Sequence, residues 1–251
     1  MEGNSADRRF AVDRPTLIRR LRAVLPAQAL LVEEEDLRPY DCDGLTAYRQ
    51  LPLLVALPEN ESQAQAILKV CHELKAPVVA RGAATGLSGG ATPHADGVVV
   101  SLARLKKIVS IDALSRIAVL QPGVRNLAVS EAAAPYGLYY APDPSSQIAC
   151  TIGGNVAENS GGVHCLKYGL TVHNVLRVRG LTMAGEIVEF GNAALDAAGY
   201  DLLALLNGSE GLLAMITEVT VRLTPKPQLA QVVIASFDDV RRAGDAVAGI
   251  I

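Results

Sequence analysis

Hydrophobic residues recur at helical spacing in two segments near the start of the chain. In residues 14–25, RPTLIRRLRAVL, the apolar positions share one face, and Pro15 suits a first helical turn. In residues 59–77, ENESQAQAILKVCHELKAP, the same spacing ends at a proline. The pattern predicts two amphipathic helices, with the acidic connector 32–44 and a strand in the apolar run 51–58 between them.

Short runs of β-branched residues predict strands further along. The run VVAR, residues 78–81, directly follows the second helix and completes a strand–helix–strand unit. Further elements are expected as follows: strands in 96–112, 115–123 and 213–227, helices in 124–137 and 200–208, and a hairpin in 174–190 around Ala184-Gly185. The chain therefore mixes helices and strands, without an internal repeat.

The last residues form a pattern of their own. After the Pro-Lys-Pro break at 225–227, residues 229–237 predict a strand and residues 238–251 an amphipathic helix. One strand and one helix cannot enclose a core. This tail is therefore expected to begin a second domain.

Composition excludes several classes of function. The formal net charge is −3, Trp is absent and aromatic residues are scarce, so the chain is not expected to bind nucleic acid. No apolar run is long enough to cross a bilayer, and the first residues do not form a signal peptide. The four cysteines lack metal-site spacing. We expect free thiols in a cytoplasmic protein, with no metal site and no transmembrane segment.

The segment VVARGAATGLSGGA, residues 78–91, is the first candidate site. Glycine allows positive φ and close approach of a ligand, and successive backbone amides bind anions. The side chains of Arg81, Thr85 and Ser88 add possible donors, so a diphosphate suits the loop. The chain has no Gly-Lys pair of a P-loop, and the loop has no GxGxxG fingerprint. A tight loop that needs glycine only for its turns is the alternative.

Two later segments are also rich in glycine. Residues 142–162, PDPSSQIACTIGGNVAENSGG, offer hydroxyl and amide donors on a backbone with few large side chains. Residues 207–219, NGSEGLLAMITEV, place two glycines before a strand. A solvated surface loop is the alternative for the first, and a helix C-cap with a turn is the alternative for the second.

Together these segments, with YGLTVHNVL at 168–176, resemble the vanillyl-alcohol-oxidase-type (PCMH-type) FAD-binding domain, most nearly that of glycolate oxidase flavoprotein subunits and D-lactate dehydrogenases. The resemblance implies an α+β fold with FAD between two subdomains. It implies a flexible stretch at 1–14, an FAD-binding domain at 15–227 split near 110–120, and the first strand and helix of a substrate domain at 228–251.

The resemblance also assigns cofactor-binding roles. The first loop would hold the FAD diphosphate through Arg81, Gly82, Ala83, Ala84, Thr85, Gly86, Leu87, Ser88 and Gly89. The second would run beside the diphosphate and the isoalloxazine through Pro142, Asp143, Ser146, Thr151, Gly153, Gly154, Asn155, Asn159 and Gly162. Tyr168 would close the pocket, and Glu210 and Ile216 would lie near the ribose and adenine.

The implied activity is oxidation of a 2-hydroxy acid, glycolate or D-lactate, by hydride transfer to FAD. Because RGAATG at 81–86 contains no His or Cys, we expect non-covalent FAD. An iron–sulfur subunit of a glycolate oxidase complex is an implied partner. Two alternatives remain open: a family relative acting on D-2-hydroxyglutarate or an ether-lipid precursor, and a non-catalytic FAD-domain subunit.

No catalytic residue is assigned from the sequence. Hydride transfer from a 2-hydroxy acid needs a base and a carboxylate anchor, and neither has a strong candidate here. We interpret His164 as a loop histidine with an ordinary hydrogen bond. The chain alone is therefore expected to be nearly inactive.

Overall fold

The computed structural model describes residues 12–192 and 199–251. Most of the stretch 1–14 predicted to be flexible lies outside them. The elements up to residue 101 are α1 (Arg14–Arg22), β1 (Leu30–Leu31), α2 (Glu34–Leu37), β2 (Leu54–Ala56), α3 (Glu61–Glu73), β3 (Val78–Arg81) and β4 (Val98–Ser101). The next are β5 (Ile108–Asp112), β6 (Ile117–Leu120), α4 (Asn126–Ala133), β7 (Leu138–Tyr139), α5 (Ile152–Glu158), α6 (Cys165–Tyr168) and α7 (Thr171–Asn174). The last are β8 (Val175–Leu181), β9 (Ile187–Gly191), α8 (Leu202–Leu206), β10 (Met215–Arg222), β11 (Thr224–Pro225) and α9 (Val240–Ile250).

The first sheet has the strand order β1-β2-β4-β3. Strand β4 runs parallel to β2 and β3, and its valines are fully buried. Helix α3 begins where the side chain of Asn60 accepts a hydrogen bond from the amide of Gln63 at 2.9 Å. It buries Ile67, and α1 buries Leu17 and Leu21, in the same core. The predicted helices and the strand–helix–strand unit are confirmed.

The second sheet is antiparallel, with the order β5-β6-β10-β8-β9. The hairpin of β8 and β9 turns at Gly185, which has a φ of +76°. The predicted hairpin is therefore confirmed. The chain passes from the first sheet to the second between Ser101 and Ile108. Leu181 and Met215 belong to the second sheet but pack into the core of the first, so the two sheets are in direct contact.

Three segments differ from the prediction. Residues 142–162, expected as a loop, contain α5, because Thr151 caps the helix and Ile152 and Val156 are buried. The connector 32–44 contains the short helix α2.

The third difference lies in the tail. Residues 229–237 form no strand, since none of the described strands lies beside them to complete a ladder. The predicted helix α9 is present, and Val240 and Ile250 on it are exposed. Within the described residues, no helix is both long and apolar enough to span a bilayer.

Candidate functional site

A cleft of about 320 Å³ lies where the three glycine-rich segments meet. Its walls come from residues 80–91, at the end of β3 and after it, from residues 146–160 around α5, and from residues 210–216 before and within β10. The predicted site residues that line it are Arg81, Gly82, Ala83, Ala84, Thr85, Gly86, Leu87, Ser146, Thr151, Gly153, Gly154, Asn155, Glu210 and Ile216. The fold thus brings together three segments, of which the first and the last are more than 100 residues apart in the chain.

The other predicted site residues lie outside the lining of the cleft. They are Ser88, Gly89, Pro142, Asp143, Asn159, Gly162 and Tyr168. Several have structural contacts instead: the carbonyl of Pro142 accepts from Asn126 at 3.0 Å, and the Asn159 side chain accepts from the amide of Val172 at 3.0 Å. Gly162 packs so closely on Asp143 that no Cβ would fit there.

The first loop exposes a continuous row of backbone donors. Among the residues that the structure describes, none accepts a hydrogen bond from the backbone amides of residues 83–91. Most residues of this segment line the cleft. Backbone amides without a protein acceptor are available to an anion or to other acceptors of a ligand.

The guanidinium of Arg81 makes contacts within the protein at the base of the first loop. It donates to the carbonyl oxygens of Cys42 at 2.8 Å, Ala91 at 3.4 Å and Pro39 at 3.4 Å, and it lies over the ring of Tyr40. Burial lowers the pKa of Arg81, which nevertheless stays charged. The arginine therefore closes the base of the first loop and, through its two terminal nitrogens, ties that loop to residues 39–42.

The glycines of the site serve two different purposes. A Cβ on Gly153 would lie 2.6 Å from the Cβ of Pro122, and one on Gly82 would lie 2.6 Å from Oγ1 of Thr151. These two positions need glycine for packing within the protein. A Cβ on Gly86 would meet only the Glu158 carboxylate, at 3.4 Å or more, so that side of the loop is open.

Unusual backbone conformations concentrate at the cleft. Ala84, Asn159 and Glu210 have φ values of +55°, +50° and +53°, although none is glycine. Ala84 and Glu210 line the cleft, and Asn159 lies between the lining residues Glu158 and Ser160. Such conformations cost free energy and cluster at functional sites, because the surrounding structure must hold them in place.

One buried polar atom in the wall of the cleft has no partner. Asn155 is 2% exposed, and among the described residues its Nδ2 has no hydrogen-bond acceptor. Cys150 lines the cleft nearby, and burial raises the pKa of its thiol. A buried donor without an acceptor is costly, so a ligand oxygen at this wall would stabilise the site.

Sequence reasoning missed acidic residues of the cleft. Asp43, from the connector 32–44, and Glu158, from α5, both line it together with Glu210. A Cβ on Gly90 would lie 3.1 Å from a carboxylate oxygen of Glu158 and 3.1 Å from one of Glu210. Glu158 also accepts a hydrogen bond from the Ser88 hydroxyl at 3.0 Å. Carboxylates suit the hydroxyl groups of a sugar better than they suit phosphates.

Two side-chain pairs connect residues 139–143 with residues 164–168, one between an aspartate and a histidine and the other between two tyrosines. Nδ1 of His164 lies 2.7 Å from Oδ2 of Asp143, while the imidazole is 66% exposed. The rings of Tyr139 and Tyr168 pack edge to face, with centroids 6.1 Å apart. Hydrogen bonding from Tyr139 lowers the pKa of Tyr168, whereas burial raises that of Tyr139. The interpretation of His164 as a hydrogen-bonded loop histidine agrees with this geometry.

Comparisons with known proteins show which family the chain is similar to. The sequence profile of a family described as the FAD binding domain matches residues 52–191. Glycolate oxidase subunit GlcD of Escherichia coli strain K12 is 59% identical over 240 residues, covering 96% of this chain and 48% of that protein. D-lactate dehydrogenase of Anaerostipes hadrus is 34% identical over 228 residues, covering 90% of this chain and 48% of that protein. The chain thus spans about half the length of these curated relatives.

A solved structure establishes the fold. Alkyldihydroxyacetonephosphate synthase superposes with a TM-score of 0.76 at 22% identity, over 86% of this chain and 41% of that one. This likeness and the family profile confirm the predicted α+β fold class and the resemblance drawn from the glycine-rich segments. The chain belongs to the FAD binding domain family.

Proposed function

We propose that the cleft binds FAD non-covalently and that the chain is the FAD-binding portion of an oxidoreductase acting on a 2-hydroxy acid, glycolate or D-lactate. The observation that carries the proposal is the row of unpartnered amides at residues 83–91, most of which belong to residues that line the cleft. A dinucleotide with two adjacent phosphates is the ligand whose acceptors match such a row.

The residues of the cleft fit different parts of FAD. Backbone amides of the first loop suit the diphosphate, and Glu158 and Glu210 suit sugar hydroxyls. Leu102, Pro122 and Ile216 provide apolar walls for a flat ring. The unpartnered Nδ2 of Asn155 is a donor for a ligand oxygen. FAD, when bound, supplies an acceptor for a hydride.

Non-covalent attachment is supported by the chemistry of the lining. The first loop contains neither His nor Cys, and the one thiol lining the described cleft, that of Cys150, has a raised pKa. A protonated thiol is a poor nucleophile, so it is not expected to bond to the flavin. Acid precipitation of the loaded chain should leave the flavin in the supernatant. Flavin that stays with the precipitate would contradict this part of the proposal.

Substrate chemistry is proposed to reside in another part of the longer protein. The described residues include no cluster of three or more metal-ligating side chains, and the cleft itself holds no histidine among the described residues. We expect the 251-residue chain to bind FAD and to turn over glycolate or D-lactate only very slowly. Turnover by this chain at ordinary enzymatic rates with an artificial electron acceptor would refute this division.

The cellular setting belongs to the same proposal. All four cysteines are free thiols, as is usual for a reducing compartment, which supports a cytoplasmic location. The most similar relative described above is named as a subunit of glycolate oxidase, which supports a role within a complex. An iron–sulfur subunit is the proposed partner, and co-purification of the full-length protein with such a subunit would test this.

Titration of the chain with FAD, followed by fluorescence quenching, tests the binding site. Gly86→Ala adds a methyl group to the cleft wall without a clash with the protein, so FAD affinity should fall while stability stays unchanged. Gly249→Ala, in α9, adds the same group to open space and serves as the matched control. The proposal fails if the unmodified chain does not bind FAD, or if both variants bind it as tightly as the unmodified chain does.

A further inference from the structure

A partly buried polar cluster joins the two sheets on the side of β10 that faces α3. Glu61, the first residue of α3, accepts two hydrogen bonds from Arg179 of β8, from Nε and one terminal nitrogen, both at 2.9 Å. The hydroxyl of Thr217 in β10 donates to the same carboxylate at 2.7 Å. These charge-assisted bonds connect the helix of the first sheet to two strands of the second, and they lower the pKa of Glu61.

A second contact holds the same helix against the hairpin. Nε2 of Gln65, one turn after Glu61, donates to the carbonyl of Gly185 at 2.7 Å. A Cβ on Gly185 would lie 2.7 Å from the side chain of Lys69, so helix and turn approach closely. Helix α3 is therefore fixed against β8 and β9 along two of its turns.

Strand β10 is irregular at the point where the cluster contacts it. Ile216 pairs with Gly180 and Glu218 pairs with Arg179, so Thr217 is an extra residue in the ladder. Bulges of this kind change the direction of neighbouring side chains and occur beside active sites. Ile216 lines the cleft, whereas Thr217 is 4% exposed and does not line it. The hydroxyl of Thr217 is thus held outside the cleft at the bulge that directs Ile216 into it.

We propose that Glu61, Arg179 and Thr217 are positioning residues that fix the bulge of β10, and with it the wall of the cleft formed by Ile216, in the geometry that binds FAD. This inference rests on the proposed function. None of the three residues lines the cleft, so each acts through the backbone of β10. Loss of the cluster should therefore reduce the free energy of FAD binding more than it reduces the free energy of unfolding.

A neighbouring ion pair provides a matched control. Arg177 donates to Glu189 at 2.6 Å, and both residues belong to the β8–β9 hairpin. Arg179 also contacts Glu189, at 2.9 Å, so the two arginines share a partner. Only Arg179 reaches α3. Arg177→Gln therefore removes one charge from the same hairpin and leaves the link between the sheets intact.

The test compares Thr217→Val with Thr217→Ser in the 251-residue chain. Valine keeps the shape and removes the hydroxyl, whereas serine keeps the hydroxyl. The dissociation constant for FAD should rise about tenfold in the valine variant, which is the effect expected from losing one charge-assisted hydrogen bond. In the serine variant it should stay within about twofold of the original value. The visible circular dichroism of bound FAD should change only in the valine variant.

Further measurements keep the inference falsifiable. Urea unfolding without FAD reports the stability of each variant, and Glu61→Gln is the second variant should the valine variant fail to fold. Unchanged FAD affinity and dichroism in a folded Thr217→Val or Glu61→Gln chain would overturn the inference, as would an equal loss in Arg177→Gln. Absence of FAD binding by the unmodified chain would instead refute the proposed function.

Discussion

Substitution by alanine is expected to change the stability of the protein in opposite directions at two adjacent glycines of α5. Gly153 and Gly154 both occupy the first turn of the helix. A Cβ on Gly153 would lie 2.6 Å from the Cβ of Pro122 and 3.2 Å from its carbonyl oxygen. A Cβ on Gly154 would meet only Oγ1 of Thr151, at 3.3 Å, which a shift of a few tenths of an ångström relieves.

The expected magnitudes follow from these contacts. At residue 153, overpacking costs about 1–3 kcal/mol and the gain in helix propensity returns about 1 kcal/mol, so Gly153→Ala should lower stability by up to about 2 kcal/mol. The hydrogen bond from its amide to the Pro122 carbonyl, at 2.8 Å, opposes any retreat of the helix. At residue 154, alanine should raise stability by about 0.5–1 kcal/mol, because only the propensity term remains.

Urea denaturation without FAD measures this difference, which should be about 2 kcal/mol between the two variants, or about 4–8 °C in Tm. Titration with FAD measures the effect on ligand binding separately from the effect on stability. Because Gly154 lines the cleft, the methyl group added by Gly154→Ala should weaken FAD binding. Equal stabilities of Gly153→Ala and Gly154→Ala would refute the assignment of Gly153 to internal packing. Unchanged FAD affinity in Gly154→Ala would refute contact between the ligand and this turn.

Three further predictions concern single residues. Thr151→Val removes the N-cap of α5 and should lower the urea midpoint by an amount equivalent to about 1 kcal/mol. Hydrogen bonding from Arg179 lowers the pKa of Glu61, so its contribution is complete above the unfolded pKa of about 4.5 and is lost as pH falls through the lower folded pKa. Acid unfolding of Glu61→Gln should therefore depend less steeply on pH than that of the unmodified chain. Burial raises the pKa of Cys71 to about 12, so mass spectrometry should show iodoacetamide labelling Cys165 well before Cys71.

The parts of the fold that local patterns determine were predictable. Helix α3 carries its own start signal at Asn60, an apolar face and a closing proline, and the hairpin carries its turn glycine at residue 185. Helix α5 was missed because two glycines obscure its pattern, and the burial of Ile152 and Val156 depends on strands distant in sequence. Tertiary packing overrides local propensity in that segment.

The candidate site was predictable as three segments but not as a set of roles. Glycine-rich composition located the walls of the cleft. No sequence pattern, however, shows that Arg81 would donate hydrogen bonds to the carbonyl oxygens of Pro39 and Cys42. The connector 32–44 looked like a plain link, and its Asp43 lines the cleft because Arg81 holds that segment against the first loop. The closeness of Glu158 and Glu210 depends on the packing of α5 against the segment before β10, where the Glu210 amide donates to the Ala157 carbonyl.

The wall made of residues 82–91 has a consequence for mutagenesis. Seven of these ten positions are already glycine or alanine, so a scan that trims side chains has almost nothing to remove there. Natural substitutions of side chains elsewhere on the surface would likewise leave the backbone amides of residues 82–91 unchanged. Substitutions that enlarge residues are the informative ones in this segment. Alanine in place of a glycine, as in Gly86→Ala, and valine or leucine in place of glycine or alanine would map it.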